Sequence, residues 1–159
     1  MDTRPVRPDD GPLSCRPWDR LSPESVYRRF HAPLRSPPVG AHRLVEVDHD
    51  LREALVAVVG GEVVGVARYD RSPGDPGTAD VAVVVEDAWQ GVGVGRQLLA
   101  ELTALAGRRG VGRLTADVQT DDRMVGLVQR LLPGALLTPV HGVYAVRSPL
   151  TGAPAPAAA

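Results

Sequence analysis

A glycine-rich turn, Gln90-Gly91-Val92-Gly93-Val94-Gly95, has the residue types and the setting of an anion-binding site. It follows an apolar β-type run, Val81–Val85, and precedes a segment of helical periodicity that extends to Arg109. The first N–H groups of a helix have no intrahelical acceptor, and the helix dipole favours negative charge there. Glycines also let a phosphate approach the backbone without meeting a Cβ atom. The turn therefore predicts a phosphate or pyrophosphate site that needs no lysine, a residue type absent from this chain.

Two common phosphate-binding fingerprints do not fit this turn. A P-loop requires lysine directly after its last glycine, where this chain has Arg96. A dinucleotide fingerprint requires a further glycine or alanine at Arg96 or at Leu98, depending on which glycine opens the motif. The spacing that does fit is Gln-x-x-Gly-x-Gly. A nucleotide-binding domain of either common type is therefore disfavoured.

The elements around the turn are predicted from hydrophobic periodicity and turn residues. Helices are predicted over Leu21–Phe30 with Ser22 as N-cap, from the turn to Arg109, and after Asp121 or Asp122 up to Leu131. Strands are predicted at Thr3–Arg7, Ala54–Val59, Val63–Tyr69, Val81–Val85, Val111–Val118, Leu136–Thr138 and Val143–Arg147. Residues 71–77 are predicted to form a turn or loop, because they contain two prolines and two glycines. The order of elements predicts a mixed α/β sheet.

Length and composition limit the class of protein. The chain has 159 residues and a formal net charge of −1, which predicts one domain at residues 1–150 and an Ala/Pro-rich disordered tail at 151–159. A net charge near zero disfavours nucleic acid as the main partner. No apolar run is long enough to cross a bilayer, and the first residues lack a secretory pattern, so a cytoplasmic protein is predicted. The single cysteine, Cys15, excludes an internal disulfide, and no metal-ligand cluster is visible.

Several blocks of the sequence resemble the GNAT superfamily of N-acetyltransferases, in particular the GNAT domain of bacterial protein lysine acetyltransferases. The motif Gln90-x-x-Gly93-x-Gly95, between a strand and an amphipathic helix, is similar to the acetyl-CoA motif of that family. The resemblance extends over about residues 3–148, and its other blocks are Leu21–Phe30, Val47–Asp50, Ala54–Val59 and Gly61–Tyr69. It implies the GNAT fold, an α/β (α+β) fold in which a mixed central sheet carries helices on both faces.

The resemblance implies acetyl-CoA as the cofactor and a primary amine, from a protein lysine or a small molecule, as the acetyl acceptor. The strand before the turn would bind the pantetheine arm through Val83, Val84 and Val85. The turn would bind the pyrophosphate through Gln90, Gly91, Val92, Gly93, Val94, Gly95 and Arg96. Asp121 stands where the family usually has asparagine and would contact the pantetheine. No nucleic acid, metal or membrane is implied as a partner. The oligomeric state is left open, with a homodimer as one alternative.

The chemistry of acetyl transfer requires a group that accepts the proton of the attacking ammonium. The resemblance gives this role to Asp80, which stands where similar acetyltransferases usually carry glutamate; capping of a turn is the alternative for Asp80. The tyrosine that serves many relatives as an acid is absent, because Val128 occupies its place. Tyr144 is then the candidate acid, with Tyr69 in reserve, and packing is the alternative for both. These departures leave open a second hypothesis, a catalytically degenerate acyl-CoA sensor or partner subunit.

Other charged residues have two interpretations each. Asp48, Asp50 and Asp117 are candidates, with Asp80, to attract a cationic amine. Arg123 and Arg130 are candidates to meet the 3′-phosphate of coenzyme A. A solvated surface role is the alternative for both sets.

Overall fold

The structure is a computed structural model that describes residues 1–10, 19–30, 46–119 and 123–150. The strands in these ranges are β1 Asp2–Pro5, β2 Arg52–Val59, β3 Glu62–Ser72, β4 Asp75–Val85, β5 Arg113–Gln119, β6 Leu136–Val140 and β7 Val143–Pro149. The α-helices are α1 Pro23–Phe30, α2 Val94–Arg108 and α3 Arg123–Leu131. Cys15, Asp121 and the tail 151–159 lie outside the described residues. Within the described ranges, no helix has the length and apolar character needed to cross a membrane.

The seven strands form one sheet in the order β1-β2-β3-β4-β5-β7-β6. Neighbouring strands are antiparallel, except that β4 and β5 run parallel. Parallel neighbours require a crossover connection, and the glycine turn with α2 forms it. The predicted mixed sheet is therefore confirmed, and the glycine turn lies at its only parallel step among the described strands.

The turn or loop predicted over residues 71–77 is confined to a turn at residues 73 and 74. β3 continues to Ser72 and β4 begins at Asp75, so only two residues separate the strands. The register between β3 and β4 shifts at this point, and residues 76–78 are extra on β4 and form a bulge. A bulge accepts proline because the ladder needs no hydrogen bond there. The early start of β4 brings Thr78–Asp80 beside β5.

Helix α2 packs on one face of the sheet and joins the core that the strands form there. Its apolar stripe, which includes Leu98, Leu102 and Ala106, is fully buried. The helix approaches β3 closely at Gly65, where a Cβ atom would lie 3.0 Å from Leu98 Cδ1. Helix α3 joins the same core through Val128. This face is therefore closed mainly by aliphatic side chains.

Helix α1 lies on the opposite face. Ser22 is its N-cap, as predicted, since Ser22 Oγ accepts a hydrogen bond from the Ser25 N–H at 3.2 Å. The helix contacts β4, and Arg29 near its end interacts with Asp80. Side chains alternate between the two faces of a strand, and Val81, next to Asp80, packs in the core under α2. Helices thus cover both faces of the sheet.

Candidate functional site

A cavity of about 600 Å³ lies where β4 and β5 separate. The two strands pair only at Thr78–Asp80 against Arg113–Thr115. Further along, β4 stays paired with β3 over Val81–Val85, and β5 stays paired with β7 over residues 116–119. Among the described residues, the facing edges of β4 and β5 therefore have no partner strand there, and they present backbone N–H and C=O groups to the cavity. Such an edge can pair with an extended ligand that carries amide groups.

The glycine turn closes one end of this cavity. Gly91 and Gly93 have φ angles of 76° and 95°, in the left-handed region that favours glycine. Helix α2 begins at Val94, and no side chain of the described residues caps its first turn. The bond from the Gln97 N–H to the Gly93 carbonyl closes that first turn. The N–H groups of residues 94–96 therefore have no intrahelical acceptor, and the geometry is that of an anion site.

Hydrogen bonds fix the turn to the sheet and to α1. Gln90 Nε2 donates to the Val85 carbonyl at 3.0 Å and to Ser25 Oγ at 3.0 Å. Asp87, just before the turn, accepts a hydrogen bond from the Ser22 N–H at 3.1 Å. Burial raises the pKa of Asp87, but hydrogen bonds from Ser22 and Ser25 outweigh it and lower the pKa below its ordinary value. Gln90 and Asp87 thus give the turn a defined position before any ligand binds.

Arginine side chains from the helices line part of the cavity. Arg96 on α2 and Arg123 and Arg130 on α3 lie among its lining residues. A Cβ atom at Gly91 would stand 3.3 Å from Arg123 Nη1, so this guanidinium lies against the turn. The helices therefore add positive charge beside the exposed N–H groups of the turn, as an anionic ligand requires.

Asp80 lies at the other end of the cavity, at the last position where β4 and β5 still pair. Partial loss of hydration raises the pKa of its carboxyl above the ordinary value, although the residue is exposed at the cavity mouth. The Thr115 hydroxyl, which donates to Asp80 Oδ1 at 3.0 Å, and the Arg29 guanidinium lower this pKa, whereas Asp117 and Asp70 raise it. The net upward shift makes the carboxylate a stronger base than an ordinary aspartate.

Most of the predicted cofactor-binding residues line the cavity. They are Val83, Val84, Val85, Gln90, Gly91, Gly93, Gly95 and Arg96. The side chains of two others lie elsewhere, since Val92 is exposed and Val94 is buried in the core. Asp121 falls outside the described residues.

The two predicted catalytic residues lie in different places. Asp80 lines the cavity, whereas Tyr144 is partly buried on β7, packs against the core and is not among the lining residues. Tyr69 is fully buried in the core under α2. Val128, which the family resemblance places where tyrosine was expected, does line the cavity. The acid role of Tyr144 therefore stays a prediction that its position does not support.

The other acidic candidates also lie in different places. Asp117 lines the cavity, but Asp48 and Asp50 precede β2 and are not among its lining residues. Asp48 Oδ1 instead accepts backbone hydrogen bonds from Asp50 and Arg52, at 3.0 and 2.8 Å, and stabilises a turn. Among the residues that the structure describes, no group of three or more His, Cys, Asp or Glu side chains is arranged to hold a metal ion.

The sequence does not identify two residues that lie near Asp80, Thr115 and Arg29. Both belong to elements that the sequence predicts, a strand and a helix. Their proximity to Asp80 depends on how β5 and α1 dock on β4, for which a single sequence holds no signal.

Comparison with known proteins gives this geometry a context. The profile of the acetyltransferase (GNAT) family matches residues 15–132. The chain is similar to acetyltransferase Pat of Mycolicibacterium smegmatis, with 34% identity over 121 residues. The matched region is 75% of this chain but 36% of Pat, so the chain spans about a third of that relative.

Solved structures share the architecture. The GNAT domain of S. lividans PAT matches with a TM-score of 0.83 and 32% identity, over 93% of this chain and 89% of that one. A GNAT superfamily phosphinothricin acetyltransferase from Sinorhizobium meliloti, solved in complex with acetyl-CoA, matches with a TM-score of 0.75 over 94% of this chain and 88% of that one. Its identity of 20% shows the fold alone. The predicted GNAT fold is therefore confirmed.

Proposed function

The chain belongs to the GNAT acetyltransferase family, and on that premise we propose that it transfers the acetyl group of acetyl-CoA to a primary amine, with Asp80 as general base. The observation that carries the proposal is the arrangement of one cavity. A turn with the geometry of an anion site closes one end, the edges of β4 and β5 that have no partner strand among the described residues form the walls, and Asp80 lies at the other end. Acetyl-CoA has its phosphates and its reactive thioester at opposite ends of an amide-containing arm, so the order of groups in ligand and cavity is the same.

The residues present fit this cofactor. The N–H groups of residues 94–96 and the guanidinium of Arg123 would hold the pyrophosphate, at a turn where a Cβ atom on Gly91 would crowd that guanidinium. The backbone of Val83–Val85 would pair with the amides of the pantetheine arm. Hydrogen bonds to a charged group are worth about 1.5–3 kcal/mol each, so several of them can hold the pyrophosphate without a lysine.

When bound, acetyl-CoA supplies a thioester carbonyl carbon on which the C–N bond forms while the C–S bond breaks. The acceptor amine is protonated at neutral pH and has no free electron pair until a base takes a proton. Asp80 accepts that proton. Aspartate is one methylene shorter than the glutamate usual at this position, so a water molecule between the ammonium and the carboxylate completes the path.

The departing thiolate needs no protein acid in this scheme. The ordinary pKa of a thiol is about 8.5, so the thiolate is a stable leaving group. It can take up, through water, the second proton that the nitrogen loses when the amide forms. This agrees with the aliphatic Val128 in the cavity wall and with the position of Tyr144 outside it. The acceptor is a protein lysine or a small primary amine, which Asp117 in the cavity lining would help to attract.

Turnover tests the proposal directly. Incubation of the chain with acetyl-CoA and a panel of lysine peptides, polyamines and amino sugars should release coenzyme A thiol only when an accepted amine is present. Mass spectrometry should then find the acetyl group on that amine. The chain contains no lysine, so acetyl-lysine in the products comes from the acceptor. Stabilisation by acetyl-CoA without release for any amine would contradict the proposal and favour an acyl-CoA sensor.

The glycine turn gives a second prediction, for the variant Gly93→Ala. Gly93 has φ = 95°, and a Cβ atom there would meet nothing within 4 Å. Alanine therefore causes no clash but strains the backbone by about 1–3 kcal/mol, which turns the N–H groups away from the pyrophosphate. We expect Kd for acetyl-CoA, measured by calorimetry, to rise about 10-fold or more.

The matched control for this prediction is Gly142→Ala. Gly142 has φ = 85°, also meets nothing within 4 Å and lies in the β6–β7 turn outside the cavity lining. It carries a similar strain and should lower the free energy of unfolding by a similar amount, with Kd unchanged. Equal Kd values for the two variants would mean that the turn does not bind the cofactor.

A further inference from the structure

A hydrogen bond links Asp80 to the strand across the cavity. Thr115 Oγ1 donates to Asp80 Oδ1 at 3.0 Å. The two residues are register partners in the parallel pair of β4 and β5, at the last position before the strands separate. Among the described residues, no other donor reaches the Asp80 carboxylate. One carboxylate oxygen is therefore held by β5, and no residue in the described ranges donates a hydrogen bond to the other.

We propose that Thr115 is a positioning residue for Asp80, which holds one carboxylate oxygen so that the other faces the acceptor amine. The inference rests on the proposed role of Asp80 as general base. Aspartate has two rotatable side-chain bonds, and its carboxylate could otherwise turn away from the cavity. A side chain fixed from the neighbouring strand keeps the base in one orientation, and catalytic groups act efficiently only when such support holds their geometry.

The other groups around Asp80 do not supply this orientation. Asp70 on β3 and Asp117 on β5 have only a repulsive charge interaction with it. Arg29 on α1 attracts it by charge, but no hydrogen bond joins the two residues. Arg68, also on β3, forms a two-point ion pair with Asp70, with bonds of 3.0 and 2.7 Å. Thr115 is thus the one described neighbour with a directional contact to the carboxylate.

The test compares Thr115→Val, which removes the hydroxyl but keeps the shape and the strand preference, with Thr115→Ser, which keeps the hydroxyl. Thr115→Val should lower kcat about 10-fold and leave KM for acetyl-CoA unchanged. A hydrogen bond to a carboxylate favours its charged form, so its loss should move the acidic limb of the kcat/KM profile to higher pH. Thr115→Ser should have the kcat of the wild type and the same acidic limb in its kcat/KM profile.

A titration of the Asp80 carboxyl by carbon NMR separates the general-base role of Asp80 from the contact that Thr115 makes with it. If Thr115 holds the carboxylate, Thr115→Val raises the pKa of Asp80 in the folded protein whatever the reaction is. Full activity in Asp80→Asn would overturn the role of Asp80 as general base, and with it the positioning role of Thr115. The difference in the pKa of Asp80 between the wild type and Thr115→Val would remain in that case. A rate, an acidic limb and an Asp80 titration all equal to wild type in Thr115→Val would overturn the positioning role alone.

Discussion

Replacing Asp80 with asparagine is expected to lower kcat/KM for the acceptor amine about 10²- to 10⁴-fold at neutral pH, the usual contribution of a positioned general base. Asparagine has the same shape and can still accept the Thr115 hydrogen bond, so the loss reports the missing base. The measurement is release of coenzyme A as a function of pH. The deficit should shrink as the pH approaches the ordinary pKa of the amine, about 10.4 for lysine, because the amine then loses its proton without help.

The matched control is Asp50→Asn, the same chemical change at an exposed aspartate that does not line the cavity. It should have wild-type activity at every pH. A constant deficit for Asp80→Asn up to high pH would contradict the role of Asp80 as the base for the amine.

The same substitution has an expected effect on stability. The pKa of Asp80 is raised in the folded chain, chiefly by loss of hydration. Its contribution to stability is therefore fully present below the pKa of the unfolded chain and is lost as the pH rises through the folded pKa. Asparagine stays neutral, so Asp80→Asn should keep or raise the free energy of unfolding at pH 7. A loss of activity in this variant is then not a loss of folding.

The second large effect concerns stability, at a buried carboxylate away from the cavity. Glu53 is completely buried at the start of β2 and pairs with Arg109, directly after α2, and with His49 Nδ1 at 2.9 Å. Arg109 Nη1 also donates to the His49 carbonyl at 2.7 Å. Removal of one partner of a buried ion pair costs about 3–5 kcal/mol, because the other charge stays buried without compensation.

The variant to make is Arg109→Met, because it takes the arginine partner from the fully buried Glu53 carboxylate. Among the described residues, that carboxylate then keeps only the contacts with His49 and the Ala54 N–H. Arg109 is 32% exposed, so the converse change, Glu53→Gln, leaves a cation that water can reach and should cost less. Urea unfolding should give a loss of about 3–5 kcal/mol for Arg109→Met, a large part of the usual 5–15 kcal/mol.

Arg108→Met is the control for this experiment, because Arg108 is the adjacent residue and its side chain is exposed. It should change the free energy of unfolding by less than about 0.5 kcal/mol. Equal stabilities for Arg108→Met and Arg109→Met would show that the buried pair does not hold the end of α2 to β2.

What the sequence predicts correctly is local. The strand, turn and helix around Gln90–Gly95 follow from a β-rich run, three glycines and a helical stripe, all within one stretch of chain. Ser22 as N-cap likewise needs only its own neighbours. The turn predicted over residues 71–77 is present but shorter. A bulge beside β3 accommodates proline and glycine within a strand, and a bulge depends on the partner strand, which the local sequence does not specify.

The geometry around Asp80 could not be predicted for a related reason. Thr115 is 35 positions from Asp80 in the chain, and the parallel register that joins them is set by packing of α2 and β5. A shift of one residue in that register would turn Thr115 to the other face of the sheet. The place of Arg29 depends in the same way on how α1 docks. The sequence therefore predicts Asp80 as a candidate, and only the fold shows what surrounds it.

The claim that one cavity joins a pyrophosphate turn to a general base is tested most directly by a crystal structure of the chain with acetyl-CoA bound. We expect the pyrophosphate to bind the N–H groups of residues 94–96 and the pantetheine arm to lie between β4 and β5. The thioester should lie close enough to Asp80 for the acceptor amine and one water molecule to fit between them. A pyrophosphate bound away from the turn, or a thioester remote from Asp80, would contradict the claim.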